Sequence, residues 1–303
     1  MIINIKKIWL KLTNKKEYYN YKILKKEEEN IKIFKNKFEK KLSEIQKNIN
    51  EKDEISLLHS GHSGDIVNSL PVIKELSKTH KCNLYINVNK EMNLPYNKHP
   101  AKNVLVDNRI YNFLFPLLKN QKFINNVEKY QKQNIDINLD MIRELPSSIN
   151  FDNSRWFFHV AGIQCDLTEP YLEVEANNSI KNKIVIHRTF RYRNYFINYN
   201  FLNDYQDLLF VGMENEYNDL KKQIKNLKFH NCKDFFEMAS IIKSCKFFIG
   251  NQSVGFDIAE ALKVPRLLEG CPYFPVIKPH GKKAYDFFYQ IHFEKWFKEL
   301  NEI

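Results

Sequence analysis

The sequence predicts an α/β protein of two parallel-sheet domains facing one another across a cleft, preceded by a helical extension. Three observations predict it. From residue 55 onward short apolar runs alternate with segments of helical spacing, the signature of strands joined by crossover helices. The alternation begins afresh near residue 183, and a chain of 303 residues suits two domains of about 100–150 residues better than one. The first 60 residues hold neither Gly nor Pro and stand outside the alternation. The extension is placed at 1–52, the first domain at 53–178 and the second at 179–303.

Within the extension, Ile2, Ile5, Ile8, Trp9 and Leu12 among Lys6, Lys7 and Lys11 make a short amphipathic stretch. Ile31, Phe34, Phe38, Leu42, Ile45 and Ile49 then recur every three or four positions, one apolar stripe on a helix. Residues 1–50 carry fourteen Lys against six Glu, +8 of the chain's net +11. Three readings of this segment stay open: a helix packed on the body, a basic helix on an anionic membrane surface, and a coiled-coil contact. On the membrane reading, a chain starting near Glu51 stays folded. The rest of the chain is nearly balanced in charge and unlike a nucleic-acid-binding surface.

In the first domain, Ile55–Leu58 reads as a strand. HSGHSGD, His59 to Asp65, reads as a turn, and Ile66, Leu70, Ile73 and Leu76 as a helix. Leu84–Val88, Val104–Asp107 and Ile135–Leu139 are further strand candidates. The second domain offers strands at Lys183–His187, Leu208–Val211, Lys246–Gly250 and Val264–Glu269. Its helices are read at Glu216–Leu227, Lys233–Lys243, Ser253–Leu262 and Ala284–Leu300.

The composition excludes several classes. Five widely spaced cysteines form no CxxC or Cys/His cluster, which argues against a zinc module or a disulfide framework. The longest uncharged apolar run, Phe113–Leu118, is far short of a membrane span. Lysines interrupt the N-terminal apolar residues, so no secretory leader is expected. The expected setting is reducing and cytoplasmic.

Four places could carry chemistry. Gly61 and Gly64 bracket a strand-to-helix turn, where glycine lets backbone approach a ligand and a helix start offers unpaired amides. Asp65 lies at that helix start, as a cap or as a reactive carboxylate; His59 and His62 could be ordinary turn residues. His187-Arg-Thr-Phe-Arg-Tyr-Arg193 follows a strand, and its arginines suit phosphate or a solvated loop. Gly250-Asn-Gln-Ser-Val-Gly255 precedes a helix whose amides could hold a diphosphate. Gly212-Met-Glu-Asn-Glu216 places a carboxylate at a strand end, for a ribose diol or an ordinary cap. No carboxylate pair has metal-holding spacing; Asp136 and Asp140 read as a strand edge.

In order and separation these features resemble the heptosyltransferase-like family 9 glycosyltransferases of the GT-B fold, over roughly residues 55–275. Gly64-Asp65, Pro71 and Leu76 match the first-domain pattern. Gly250-Asn251-Gln252-Ser253, Ala259, Ala261 and Lys263-Val264-Pro265 match the second, with Thr189, Arg191, Arg193, Gly212 and Glu216 in order between them. The chain departs where Val254 separates Ser253 from Gly255, where Asp257 takes the place of a common His, and where Arg takes that of a Lys. The resemblance implies two Rossmann-like domains and an inverting, metal-independent glycosyltransferase that needs no cofactor. A nucleotide-diphosphate sugar would be the donor and a surface glycan of lipopolysaccharide type, free or lipid-linked, the acceptor. Asp65 would be the base, with the acceptor beside His62, Ser63 and Gly64. Arg188, Thr189, Arg191, Arg193, Glu216, Asn251, Gln252, Ser253 and Gly255 would hold the donor. It implies a cytoplasmic protein, soluble or peripheral on the inner face of the membrane. Two alternatives remain: a non-catalytic sugar- or nucleotide-binding scaffold, and a sugar-nucleotide epimerase on the same fold, which would need two carboxylates and a cleft histidine.

Overall fold

A computed structural model of the chain describes residues 5–91, 104–144 and 152–302. Ile2 of the first amphipathic stretch lies outside the described residues. The chain opens with α1 (Ile5–Thr13), α2 (Lys15–Lys37) and α3 (Glu39–Glu51). The stripe read as one helix from Ile31 breaks at Phe38, and the break divides its roles. Phe38 and Ile45 are buried in the first domain's core, whereas α2 buries none of its residues. Gln46 also donates to Ala161 O at 2.8 Å. The α3 end of the extension thus contributes to the first domain's core, part of which a chain cut at Glu51 would lose.

Next come β1 (Glu54–His59), α4 (Ser63–Leu76), β2 (Lys81–Ile86), α5 (Asn108–Lys119), β3 (Asn126–Lys129), β4 (Ile137–Asn138) and α6 (Asn153–Ala161). The four strands form a parallel sheet in the order β3-β2-β1-β4. The strand expected at 104–107 is not one. Val104 makes a single antiparallel bridge to Glu91, and the Asp107 carboxylate accepts from Ile110 N at 2.7 Å, capping α5. A cap turns the chain into a helix and leaves it no ladder to join.

The second domain runs β5 (Ile184–His187), β6 (Leu208–Val211), α7 (Glu214–Leu220), β7 (Lys228–His230), α8 (Phe235–Lys243), β8 (Phe247–Asn251), α9 (Val254–Leu262), β9 (Arg266–Glu269), β10 (Ala284–Phe287) and α10 (Gln290–Asn301). Its six parallel strands are ordered β10-β9-β8-β5-β6-β7. Two expected helices are shorter. After Leu220 the chain tightens into i→i+3 turns, with Asn203 accepting Lys225 N at 2.8 Å. The segment from Ala284 is a strand and then a helix, because Phe287 stacks on Phe293 at 4.1 Å and Tyr285 on Trp296 at 4.8 Å.

The domains meet through helices, α4 against α9 and α5 against α8. One buried apolar cluster passes from the first sheet through these helices to one face of the second; a separate cluster under α10 covers the other face. This explains why α4 is buried nearly all round, with neighbours on opposite sides. It also points the loops after β1 and after β8 at the same cleft, beyond the carboxyl ends of the strands.

Candidate active site

The first domain's wall grows from the β1–α4 turn. His62 stands at the N-cap and Asp65 three residues on, and the two make a reciprocal capping box. Asp65 Oδ2 accepts the His62 amide at 3.2 Å and also accepts from Arg143; Oδ1 accepts from Asn153 Nδ2 at 2.9 Å. Arg143 ends the 3-10 turn after β4, and Asn153 opens α6. Burial pushes the Asp65 carboxyl up, but the Arg143 guanidinium, the nearby histidines and the Asn153 hydrogen bond outweigh it and hold it down at about 2. Asp65 is therefore an anion across the neutral range. Asp140, beside the short β4, anchors the turn: it accepts Ser60 N at 2.9 Å and pairs with Lys90 at 3.0 Å and Arg143 at 3.3 Å.

The second wall is shaped by Asn251 at the end of β8. Its Oδ1 accepts Thr189 N at 2.9 Å, and its Nδ2 donates to Thr189 O at 2.9 Å and Arg191 O at 2.7 Å. This clasp fixes the 189–193 loop, in which Tyr192 takes a left-handed φ of 58°. Arg191 then lines the cleft with its Nη1 buried and without a hydrogen-bond partner. Beside it α9 begins. Ser253 occupies the cap position but makes no side-chain capping bond; its hydroxyl donates to Asn251 O at 3.1 Å. A guanidinium that keeps a buried, unbonded Nη1 beside a helix start without a side-chain cap suits an anion.

Asp257, in the first turn of α9, crosses the domain boundary. Asn68 Nδ2 on α4 donates to Asp257 Oδ1 at 3.0 Å, and a Cβ at Gly64 would collide with the Asp257 carboxyl. Gly64 is needed here for close approach. Burial pushes the Asp257 carboxyl up to about 8; the Asn68 hydrogen bond opposes this, and the negative charge of Asp65 reinforces it. The cleft thus holds two carboxyls whose surroundings drive them to opposite protonation states.

The structure gathers His62, Gly64, Asp65, Arg191, Gln252 and Ser253 around this one cleft. Other expected site residues lie behind its wall. Ser63 is buried at the start of α4. Arg188, 4% exposed, is consumed inside the second domain: its Nε and Nη2 reach Glu269 at 2.6 and 2.8 Å, and it lies over the Tyr199 ring. It is a structural cation. Arg193 pairs with Asp219 and donates to Thr189 O at 3.0 Å. Glu216 is buried, accepts Phe190 N at 3.0 Å through Oε1, and has Oε2 without a partner. Thr189 and Asn251 hold the loop. Gly255 has no side chain to contribute and lets α9 pack against the His187 ring. Arg143, Asn153 and Asn68 also line the cleft and no motif announced them; Tyr192, inside the arginine run, lines it too.

Among the described residues, no group of three or more His, Cys, Asp or Glu side chains could hold a metal ion, and no helix is long and apolar enough to cross a membrane. No protein-family model matches the chain, and no curated protein matches it in sequence. Solved structures do match. The chain is similar to a family 9 glycosyl transferase from Veillonella parvula, at 12% identity and a TM-score of 0.53 over 82% of this chain and 91% of that one. It is also similar to the iron-containing dodecameric glycosyltransferase TibC of enterotoxigenic E. coli, at 15% identity and a TM-score of 0.50 over 78% of this chain and 62% of TibC. A second TibC structure, in complex with ADP-D-beta-D-heptose, matches at 14% identity with the same TM-score of 0.50. At these identities the likeness is one of fold: the chain is built as the family 9 glycosyltransferases are, in GT-B form.

Proposed function

We propose that the protein is an inverting glycosyltransferase that moves a sugar from a nucleotide-diphosphate donor to a hydroxyl of a surface-glycan acceptor of lipopolysaccharide type. One observation carries the reading: an ionised Asp65 lines one wall of the cleft, and Arg191, with a buried Nη1 that has no hydrogen-bond partner, and the start of α9, without a side-chain cap, line the other. TibC, of like fold, holds an ADP-sugar. In the proposed step the acceptor oxygen attacks the anomeric carbon from the Asp65 side. The bond to the diphosphate breaks, its electron pair leaves with the diphosphate, and the hydroxyl proton passes to Asp65. Arg191 and the α9 amides compensate the leaving charge, with no step routed through a metal. Arg143 and Asn153 orient the carboxylate; Arg143 keeps it ionised at a cost in basicity.

The test is release of nucleoside diphosphate from a panel of nucleotide sugars, with and without glycan acceptors, beside thermal shifts with the same donors. A donor at 100 times its Kd adds about 2.7 kcal/mol of stability. Asp65→Asn should lower turnover by about 10²–10⁴-fold and leave the donor shift in place. Donor binding with no turnover on any acceptor, in wild type and variant alike, would instead favour the non-catalytic scaffold. The two carboxyls and His62 around one cleft favour a second reading, an epimerase. That activity would give an epimerised nucleotide sugar without acceptor, carrying deuterium from D2O.

A further inference from the structure

We propose that the α1–α2 hairpin docks on an anionic lipid surface. Asn14 turns the chain sharply between the two helices, and its side chain accepts Glu17 N at 3.1 Å. The helices then fold back on each other, with Lys6 Nζ 5.7 Å from the Tyr21 ring centroid and Leu10 buried between them. This packing uses up little apolar surface. Ile8, Trp9 and Leu12 remain exposed on α1, Trp9 at 60% and Leu12 at 80%, and Tyr19, Ile23 and Leu24 remain exposed on α2. No residue of α2 is buried, although a 23-residue helix is about 35 Å long. Only the far end of α2, through Ile33, packs against the first domain's core; α1 and the rest of α2 pack mainly on each other.

Charge identifies what covers this surface. Residues 5–26 hold eight Lys and one Glu, and the acidic run Glu27–Glu29 begins only beyond them. Exposed aliphatic residues with Trp and Tyr at the edge, set among lysines, match a headgroup region with hydrocarbon beneath it. Each lysine near an anionic leaflet strengthens partition by about fivefold. A second copy would bring a like charge against a like charge. A nucleic acid would satisfy the lysines and leave Ile8, Leu12, Ile23 and Leu24 in water.

The test uses the full chain with vesicles of phosphatidylcholine alone and of phosphatidylcholine with about one third phosphatidylglycerol. The chain should sediment with the anionic vesicles only and be released at about 0.5 M salt. Bromine-labelled lipid should quench tryptophan emission in wild type and not in Trp9→Phe. The triple change Ile8→Ser, Trp9→Ser, Leu12→Ser should cut binding at least tenfold with an unaltered melting temperature, as should Lys11→Gln, Lys15→Gln, Lys16→Gln. Failure of the full chain to sediment, or sedimentation of both triple variants like wild type, overturns the proposal. So does a dimer that the serine variant disrupts, or tight RNA binding without vesicle binding.

Discussion

Asp257 gives the most direct measurement of how the domain boundary is built. It is 3% exposed and accepts one hydrogen bond, from Asn68. Burial raises its carboxyl to about 8 from an ordinary 3.8, so the folded protein holds a proton there at neutral pH that the unfolded chain has released. Each pH unit between the ordinary value and the working pH costs about 1.4 kcal/mol, or roughly 4 kcal/mol at pH 7. Because the folded value lies above the unfolded one, stability is fully present below about pH 4 and is lost as pH rises toward 8. Asp257→Asn keeps the shape and the acceptor for Asn68 but needs no proton. The variant should be more stable than wild type at pH 7 by up to about 4 kcal/mol, with the gap closing near pH 4. Urea unfolding of both proteins from pH 4 to 9 measures this. A gap that does not change with pH would show that Asp257 is ionised in the fold and would refute the reasoning.

Arg143→Gln removes the main group opposing burial at Asp65, so the acid limb of kcat/KM should move upward; an unmoved limb would mean that Asp65 is not the titrating base. Arg188→Ala leaves the fully buried Glu269 without its cation and should cost about 3–5 kcal/mol of stability. Arg191→Ala should leave the urea midpoint alone yet weaken nucleoside diphosphate by about 1.5–3 kcal/mol. Equal effects from these two arginines would contradict the division between structural and cleft residues. EDTA should leave turnover intact; loss restored by Mg²⁺ or Mn²⁺ would replace the proposed charge compensation.

Central strands were legible because both their faces are buried. Ile184–His187, Leu208–Val211 and Phe247–Asn251 are wholly buried and read as unbroken apolar runs. The edge strands β3, Asn-Val-Glu-Lys, and β7, Lys-Phe-His, have too few buried positions to stand out from loops. At the site, His62–Asp65 and Asn251–Ser253 were legible because each is a glycine-bearing turn between a strand and a helix. Arg143 and Asn153 arrive from 78 and 88 residues away in sequence, and only tertiary structure joins them to Asp65. Which arginine of the 188–193 run faces the cleft was not legible from that run. The signal lay at the end of β9, where Glu269 is buried and so requires a cation and donors of its own.

The opposite protonation of Asp65 and Asp257 also bears on what the cleft can admit. A diphosphate brings two or more negative charges. Two ionised carboxylates lining the same space would oppose it, since like charges in a partly desolvated site raise each other's energy. Arg143 neutralises Asp65, and burial keeps Asp257 uncharged at neutral pH. Arg191 then lines the cleft beside the start of α9 with a buried Nη1 free to bond a phosphate oxygen. On the proposed reading this balance favours the donor only while Asp257 keeps its proton. Nucleoside diphosphate affinity in wild type should therefore fall as pH rises through about 8, and in Asp257→Asn it should not. Calorimetric titration of both proteins with the nucleotide from pH 6.5 to 9 separates the effects. A fall of equal size in the variant would place the responsible group elsewhere and remove Asp257 from the control of donor binding.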